Sequence, residues 1–132
     1  DSWSSLFNPE MEIPQFIQDL THINQQMVQN QPLICQKLPD FLAFIDNTIL
    51  LAHNAQFDLN FINFECEKAG YRVTTNKTID TLRFSKFMYP QLEKHKLDFL
   101  ADHFKINKGS SHRALDDAIT CMEVFKKLVN PN

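Results

Sequence analysis

Apolar residues fall into two rhythms along the chain, a helical one that dominates and a short strand-like one that interrupts it. Residues 1–7 read as a strand, with Trp3 and Leu6 or Phe7 turned toward a core and Asn8-Pro9 closing the run as a turn. Pro14 suits the first position of a short helix whose apolar face is Phe16, Ile17 and Leu20. From Pro32 to Ile45, Leu33, Leu38, Phe41, Leu42 and Ile45 recur at helical spacing, and Pro39 either kinks that segment or divides it into two helices. Residues 48–52 (TILLA) are a short apolar, β-favouring run. A helix follows at once from Ala55 to Ala69, with Phe57, Phe61, Ile62 and Cys66 inward and Gly70 as its stop. Thr78-Ile79 is a further strand or turn that passes through Asp80, a plausible N-cap, into a helix carrying Leu82, Phe84 and Phe87 and ending before Pro90. Leu97 to Phe104 and Ala114 to Val129 supply the last two helices. Two or three strands among several helices make an α/β layer fold whose sheet is smaller than the usual five or six strands.

The chain has 132 residues and 43% hydrophobic content, enough for one core and one domain, spanning 1–132. No run of about 18 apolar residues, signal-peptide pattern or internal repeat is present, so a soluble, cytoplasmic protein without membrane partners is expected. Cys35, Cys66 and Cys121 are odd in number and widely spaced, which argues against a disulfide framework or a Cys-x-x-Cys metal site and for reduced core residues. Net charge is −3, unlike a protein that grips nucleic acid mainly through its phosphates. The average hides an asymmetry: residues 1–66 sum to −7 and residues 67–132 to +4, so the second half could face an anion. Lys94, Lys96, Lys105 and Lys108 could equally be solvating helix ends and loops.

Two segments depart from core patterning. His53-Asn54-Ala55-Gln56-Phe57-Asp58 places polar and acidic residues where a buried strand becomes a helix, and open α/β sheets bind ligands at the C-terminal ends of their strands. His112-Arg113-Ala114-Leu115-Asp116-Asp117 again sets a His and a carboxylate at a helix start, after the polar residues 107–111. Each acid has an ordinary reading as well, because backbone N–H groups in a helix's first turn favour a carboxylate, and Ser110 or Ser111 could be an N-cap. Asp80 reads as a cap, and Asp116 points about 100° away from Asp117 on the helix.

Together the two segments resemble the DEDDh (DnaQ-like) 3′→5′ exonucleases, the family of the DNA polymerase III epsilon proofreading subunit and ribonuclease T. Residues 52–58 (AHNAQFD) resemble that family's second motif, and His112, Ala114 and Asp117 match its third, His-x-Ala-x-x-Asp. The resemblance covers essentially the whole chain. It implies a ribonuclease H-like fold with a mixed sheet flanked by helices, and release of nucleoside monophosphates from nucleic-acid 3′ ends, in proofreading beside a DNA polymerase subunit. It also implies two divalent cations, Mg²⁺ or Mn²⁺, with Asp58 and Asp117 as two of four metal-holding acids and His112 as general base. Phe57, Asn54, His53 and Thr21 would contact substrate, although His22 stands where the family usually has Gly in the Thr21 segment.

The family's first motif, an Asp-x-Glu on the first strand, belongs upstream of residue 1, so the domain is expected to be N-terminally incomplete. Glu10-Met11-Glu12 imitates its spacing but sits between Asn8-Pro9 and Ile13-Pro14, where a turn or strand edge is expected. A sheet open at that edge invites pairing with another chain, hence a possible dimer. The alternative from another class is a noncatalytic module that keeps the exonuclease fold and acts as a polymerase-associated scaffold.

Overall fold

Leu50, Leu51 and Ala52 form β1, which pairs in parallel with β2, Thr78 to Asp80, in the register Leu50 to Thr78, Leu51 to Ile79 and Ala52 to Asp80. Parallel neighbours need a crossover, and α4 (Ala55–Ala69) provides it, so β1, α4 and β2 make one βαβ unit. The consequence for function is direct: both strands end on the same side, and the residues that leave them meet there. These coordinates come from a computed structural model that describes residues 1–110 and 112–131.

Before the unit come α1 (Gln15–Thr21), α2 (Gln25–Val28) and α3 (Ile34–Ile45); after it come α5 (Thr81–Met88), α6 (Leu97–His103) and α7 (Ala114–Val129). Gly70 ends α4 in the left-handed conformation at φ 80°, which only glycine adopts without strain. Asn24 opens α2 by accepting from the Met27 N–H at 3.0 Å. Pro39 neither breaks nor divides α3, which runs through it as one helix of 12 residues.

Leu100, Ala101, Val124 and Leu128 are fully buried between α6 and α7, with Phe84, Tyr89, Leu92, Leu97, Phe104 and Ile106 packed around them. This cluster fixes α7 and therefore the carboxylates at its start. Cys66 and Cys121 are buried thiols as expected, whereas Cys35 is exposed.

Two expectations about the fold need correction. Residues 1–7 are not a strand among the described residues, because their backbone finds no ladder partner; Trp3 nevertheless packs on Phe41 of α3 at 5.3 Å between ring centroids. The expected α/β arrangement is present, its sheet among the described residues being a single parallel pair. Phe57 and Phe61 do not point inward on α4, being 73% and 55% exposed, and it is Ala55 and Cys66 that the helix buries.

Candidate functional site

At the C-terminal end of β2, the Asp80 carboxylate accepts three backbone N–H groups: Leu82 at 2.9 Å in its own helix, and Asn54 at 3.0 Å and Ala55 at 3.2 Å across the βαβ unit. Sequence reasoning assigned Asp80 a cap only. The signal for more was its position, since in a parallel pair the residue after one strand faces the residue after the other. Asn54 adopts φ 65°, ψ 54°, a left-handed conformation, and α4 starts immediately after it.

Asp58 lies in the first turn of α4. Burial pushes its carboxyl above the ordinary aspartate range, and the Asp80 charge pushes the same way, against a backbone hydrogen bond that favours ionisation. Asp117 occupies the matching place in α7, where burial likewise raises its carboxyl, while a hydrogen bond from the His112 backbone and the His112 charge pull it down. None of the four ion pairs between described residues involves either acid.

α7 packs against β1, and Cys121 stands one turn after Asp117 on the same face. Burial raises the Cys121 thiol, and the Asp58 and Asp80 carboxylates push it the same way. The Cys121 sulfur is 3.4 Å from the Thr81 hydroxyl, which joins α7 to the strand ends.

Both segments read His-x-Ala-x-x-Asp, yet their histidines are placed differently. His53 is engaged at both ring nitrogens, Nε2 to the His95 carbonyl at 2.8 Å and Nδ1 to the Thr81 hydroxyl at 2.8 Å. A carbonyl can only accept, so Nε2 carries a proton. His112 is exposed, with φ 66°. The first histidine holds structure, and the second is exposed.

Burial lowers the His53 pKa below the ordinary range. Above about pH 6.5 the ring is neutral in both states; as pH falls, the unfolded chain takes up a proton that folded His53 resists, so this contribution to stability is lost on acidification. His53→Gln is therefore expected to flatten the fall of melting temperature between pH 7.5 and pH 5, compared with the parent chain.

The remaining expected residues are more scattered. Phe57 and Asn54 are exposed beside Asp58. Thr21 spends its hydroxyl locally, donating to the Ile17 carbonyl at 2.8 Å and accepting from the Ile23 N–H at 3.2 Å; it borders an apolar cavity with Phe7, Ile13 and Val28, near 350 Å³. Asp116 accepts from the Ser110 N–H at 2.9 Å and so ties down the loop before α7; Ser111 lies outside the described residues. Glu10 and Glu12 are exposed, and Glu10 lies in a bend at φ 56°. Lys108 pairs with Asp102 at 2.8 Å, which favours the solvating reading of that lysine.

Two first-turn carboxylates without a Lys or Arg partner among the described residues suit a hard divalent ion in kind. In number they are part of a ligand set: among the described residues no three His, Cys, Asp or Glu side chains come together to hold a metal ion.

Residues 1–125 match the RNase T family of exonucleases. The chain belongs to that family. This exonuclease-family chain is 40% identical over 129 residues to DNA polymerase III PolC-type of Caldanaerobacter subterraneus subsp. tengcongensis, covering 98% of the chain and 9% of the relative. To DNA polymerase III subunit epsilon of Treponema pallidum it is 36% identical over 129 residues, covering 96% of the chain and 60% of the relative. It thus spans less than two thirds of either relative's length. Exonuclease X in complex with 5′ overhanging duplex DNA superposes with a TM-score of 0.70 at 20% identity, over 96% of this chain and 72% of that one. That likeness shows the α/β, ribonuclease H-like fold. Members of the exonuclease family generally use divalent metal ions. No helix among the described residues is long and apolar enough to cross a membrane.

Proposed function

We propose that this chain is a single 3′→5′ exonuclease domain that releases nucleoside monophosphates from nucleic-acid 3′ ends, in the cytoplasm, as a proofreading module beside a DNA polymerase. The observation that carries the reading is the pair of His-x-Ala-x-x-Asp helix starts, each with its aspartate in the first turn and its carboxyl pushed up by desolvation, in a member of the RNase T family. In this reading Asp58 and Asp117 hold part of a two-ion Mg²⁺ or Mn²⁺ centre. When bound, such ions stabilise the attacking and leaving oxygens of phosphodiester hydrolysis. His112 takes the proton of the attacking water on its imidazole, a role suited to an exposed ring that can both accept and release a proton. Phe57 lies against the terminal base, and Asn54 contacts the terminal nucleotide. His53, with both nitrogens occupied, acts by fixing the strand-to-helix turn, and Thr21 contributes through the wall of its cavity. Low overall basicity fits single-stranded or frayed ends better than long duplexes. The outer sheet edges carry no ladder among the described residues, which leaves room for a second copy or a polymerase subunit to pair there.

The metal part is tested without any substrate. Ionised Asp58 is penalised by burial at neutral pH, a penalty absent below the ordinary aspartate pKa near 3.9, so Asp58→Asn is expected to raise the melting temperature in chelator at pH 7 and to change it little near pH 3. Excess Mn²⁺ is expected to stabilise the parent protein, by about 2.7 kcal/mol at a hundred times its Kd, and the variant less. Equal Mn²⁺ stabilisation of both would remove Asp58 from the site.

A second reading, a noncatalytic exonuclease-fold module serving as a scaffold, is favoured by the incomplete ligand set among the described residues. It is separated by assaying the natural gene product that carries these residues: absence of both Mn²⁺ binding and nucleotide release would select it.

A further inference from the structure

We propose that Asp80 is a positioning residue of the exonuclease site, setting where Asp58 stands relative to Asp117; the proposal rests on the reading that these two acids hold the metal. A helix cap needs one hydrogen bond to the first turn of its own helix. Asp80 makes that bond to Leu82 and then two more, to Asn54 and Ala55 in the other half of the βαβ unit. Those two N–H groups belong to the turn that decides where α4 begins. Asn54 is left-handed at φ 65°, a conformation that asparagine tolerates better than other non-glycine residues, and the Asp80 bond to its N–H holds it there.

Asp58 follows four residues later, about 6 Å along a stiff helix, so any slip of the turn carries Asp58 and Phe57 with it. The next residue, Thr81, is fully buried, and its hydroxyl lies 2.8 Å from His53 Nδ1 and 3.4 Å from the Cys121 sulfur, one turn beyond Asp117. Asp80 and Thr81 therefore fasten the start of α4 on one side and the face of α7 on the other. Three of the roughly four acceptor sites on the Asp80 carboxylate are spent on these backbone groups: Oδ1 takes Asn54 and Leu82, and Oδ2 takes Ala55.

The test compares Asp80→Ala, Asp80→Asn and Asp58→Asn in the natural gene product, reading Mn²⁺ affinity by calorimetry, amide hydrogen exchange at Asn54, Ala55 and Leu82, and kcat and KM for 3′-end cleavage. Loss of an orienting partner of metal ligands typically weakens metal binding by about ten- to a hundredfold. Asp80→Ala is expected to weaken Mn²⁺ binding to that extent, speed exchange at all three amides and lower kcat more than it changes KM. Asp80→Asn, which keeps Oδ1 as an acceptor, is expected to retain protection at Asn54 and Leu82, lose it at Ala55 and fall between the parent and Asp80→Ala in Mn²⁺ affinity. Should Asp80→Ala unfold, Asp80→Asn carries the same comparison alone. Parental Mn²⁺ affinity and kcat in the Asp80 variants, with Asp58→Asn defective, would overturn the positioning role alone. Parental Mn²⁺ affinity in Asp58→Asn would overturn the metal-site reading and the positioning role with it.

Discussion

Substituting His112 by Asn is expected to lower kcat for mononucleotide release by about 10²- to 10⁴-fold, the usual contribution of a general base, and to leave KM within a few-fold of the parent value. Asparagine is the better probe than alanine because residue 112 sits at φ 66°, where Asn is tolerated and other side chains are strained. The ring is exposed and makes no described side-chain hydrogen bond within the chain, so the melting temperature should scarcely move. Steady-state kinetics on a short single-stranded DNA, with thermal melts alongside, check both parts. A loss of activity matched by a loss of fold would instead make His112 structural. The contrast with His53 sharpens the test: His53 variants should lose stability through the Thr81 and His95 bonds, whereas His112 variants should lose rate.

Leu128→Ala is expected to destabilise the chain by about 2–5 kcal/mol, the range for truncating a fully buried leucine. Leu128 has no exposed surface and packs with Leu100, Ala101 and Val124 where α6 meets α7. The helix it anchors begins at Ala114 and carries Asp117 in its first turn. Urea unfolding measures the loss directly as a shift of the midpoint at unchanged slope. Near the melting transition the same variant should lose activity in proportion to the unfolded fraction, and well below it activity per folded molecule should be preserved, because the core fixes α7 without touching the site.

Helices were legible in the sequence wherever a period and a stop signal agreed. The segment from Ala55 to Ala69 with Gly70 beyond it, and the segment from Ala114 to Val129, are found with those boundaries. The four residues of α2 were missed although Asn24 announces their start, because so short a helix has no period to read. Residues 1–7 show why strands are harder: an apolar run states a preference, and the ladder needs a partner that a local reading cannot supply. The inward placement given to Phe57 and Phe61 failed for a related reason, since α4 carries apolar residues on several sides and only packing chooses among them.

The two His-x-Ala-x-x-Asp segments were legible as helix starts, and Asp58 and Asp117 do lie in the first turns of α4 and α7. What the sequence could not separate was the two histidines, whose difference lies in tertiary partners 28 and 42 residues away from His53. Asp80 was visible as a cap and invisible as a clamp, because two of its three bonds cross from one strand end to the other.

The central claim is metal-dependent hydrolysis from the 3′ end through His112, Asp58 and Asp117, and the most direct measurement is a time course on single-stranded DNA labelled at its 3′ end, using the natural gene product in Mn²⁺. Labelled nucleoside monophosphate should be released from the first time point, should cease in chelator, and should be absent from the His112→Asn protein. No release in Mn²⁺ or Mg²⁺, or release that persists unchanged in His112→Asn, would contradict it.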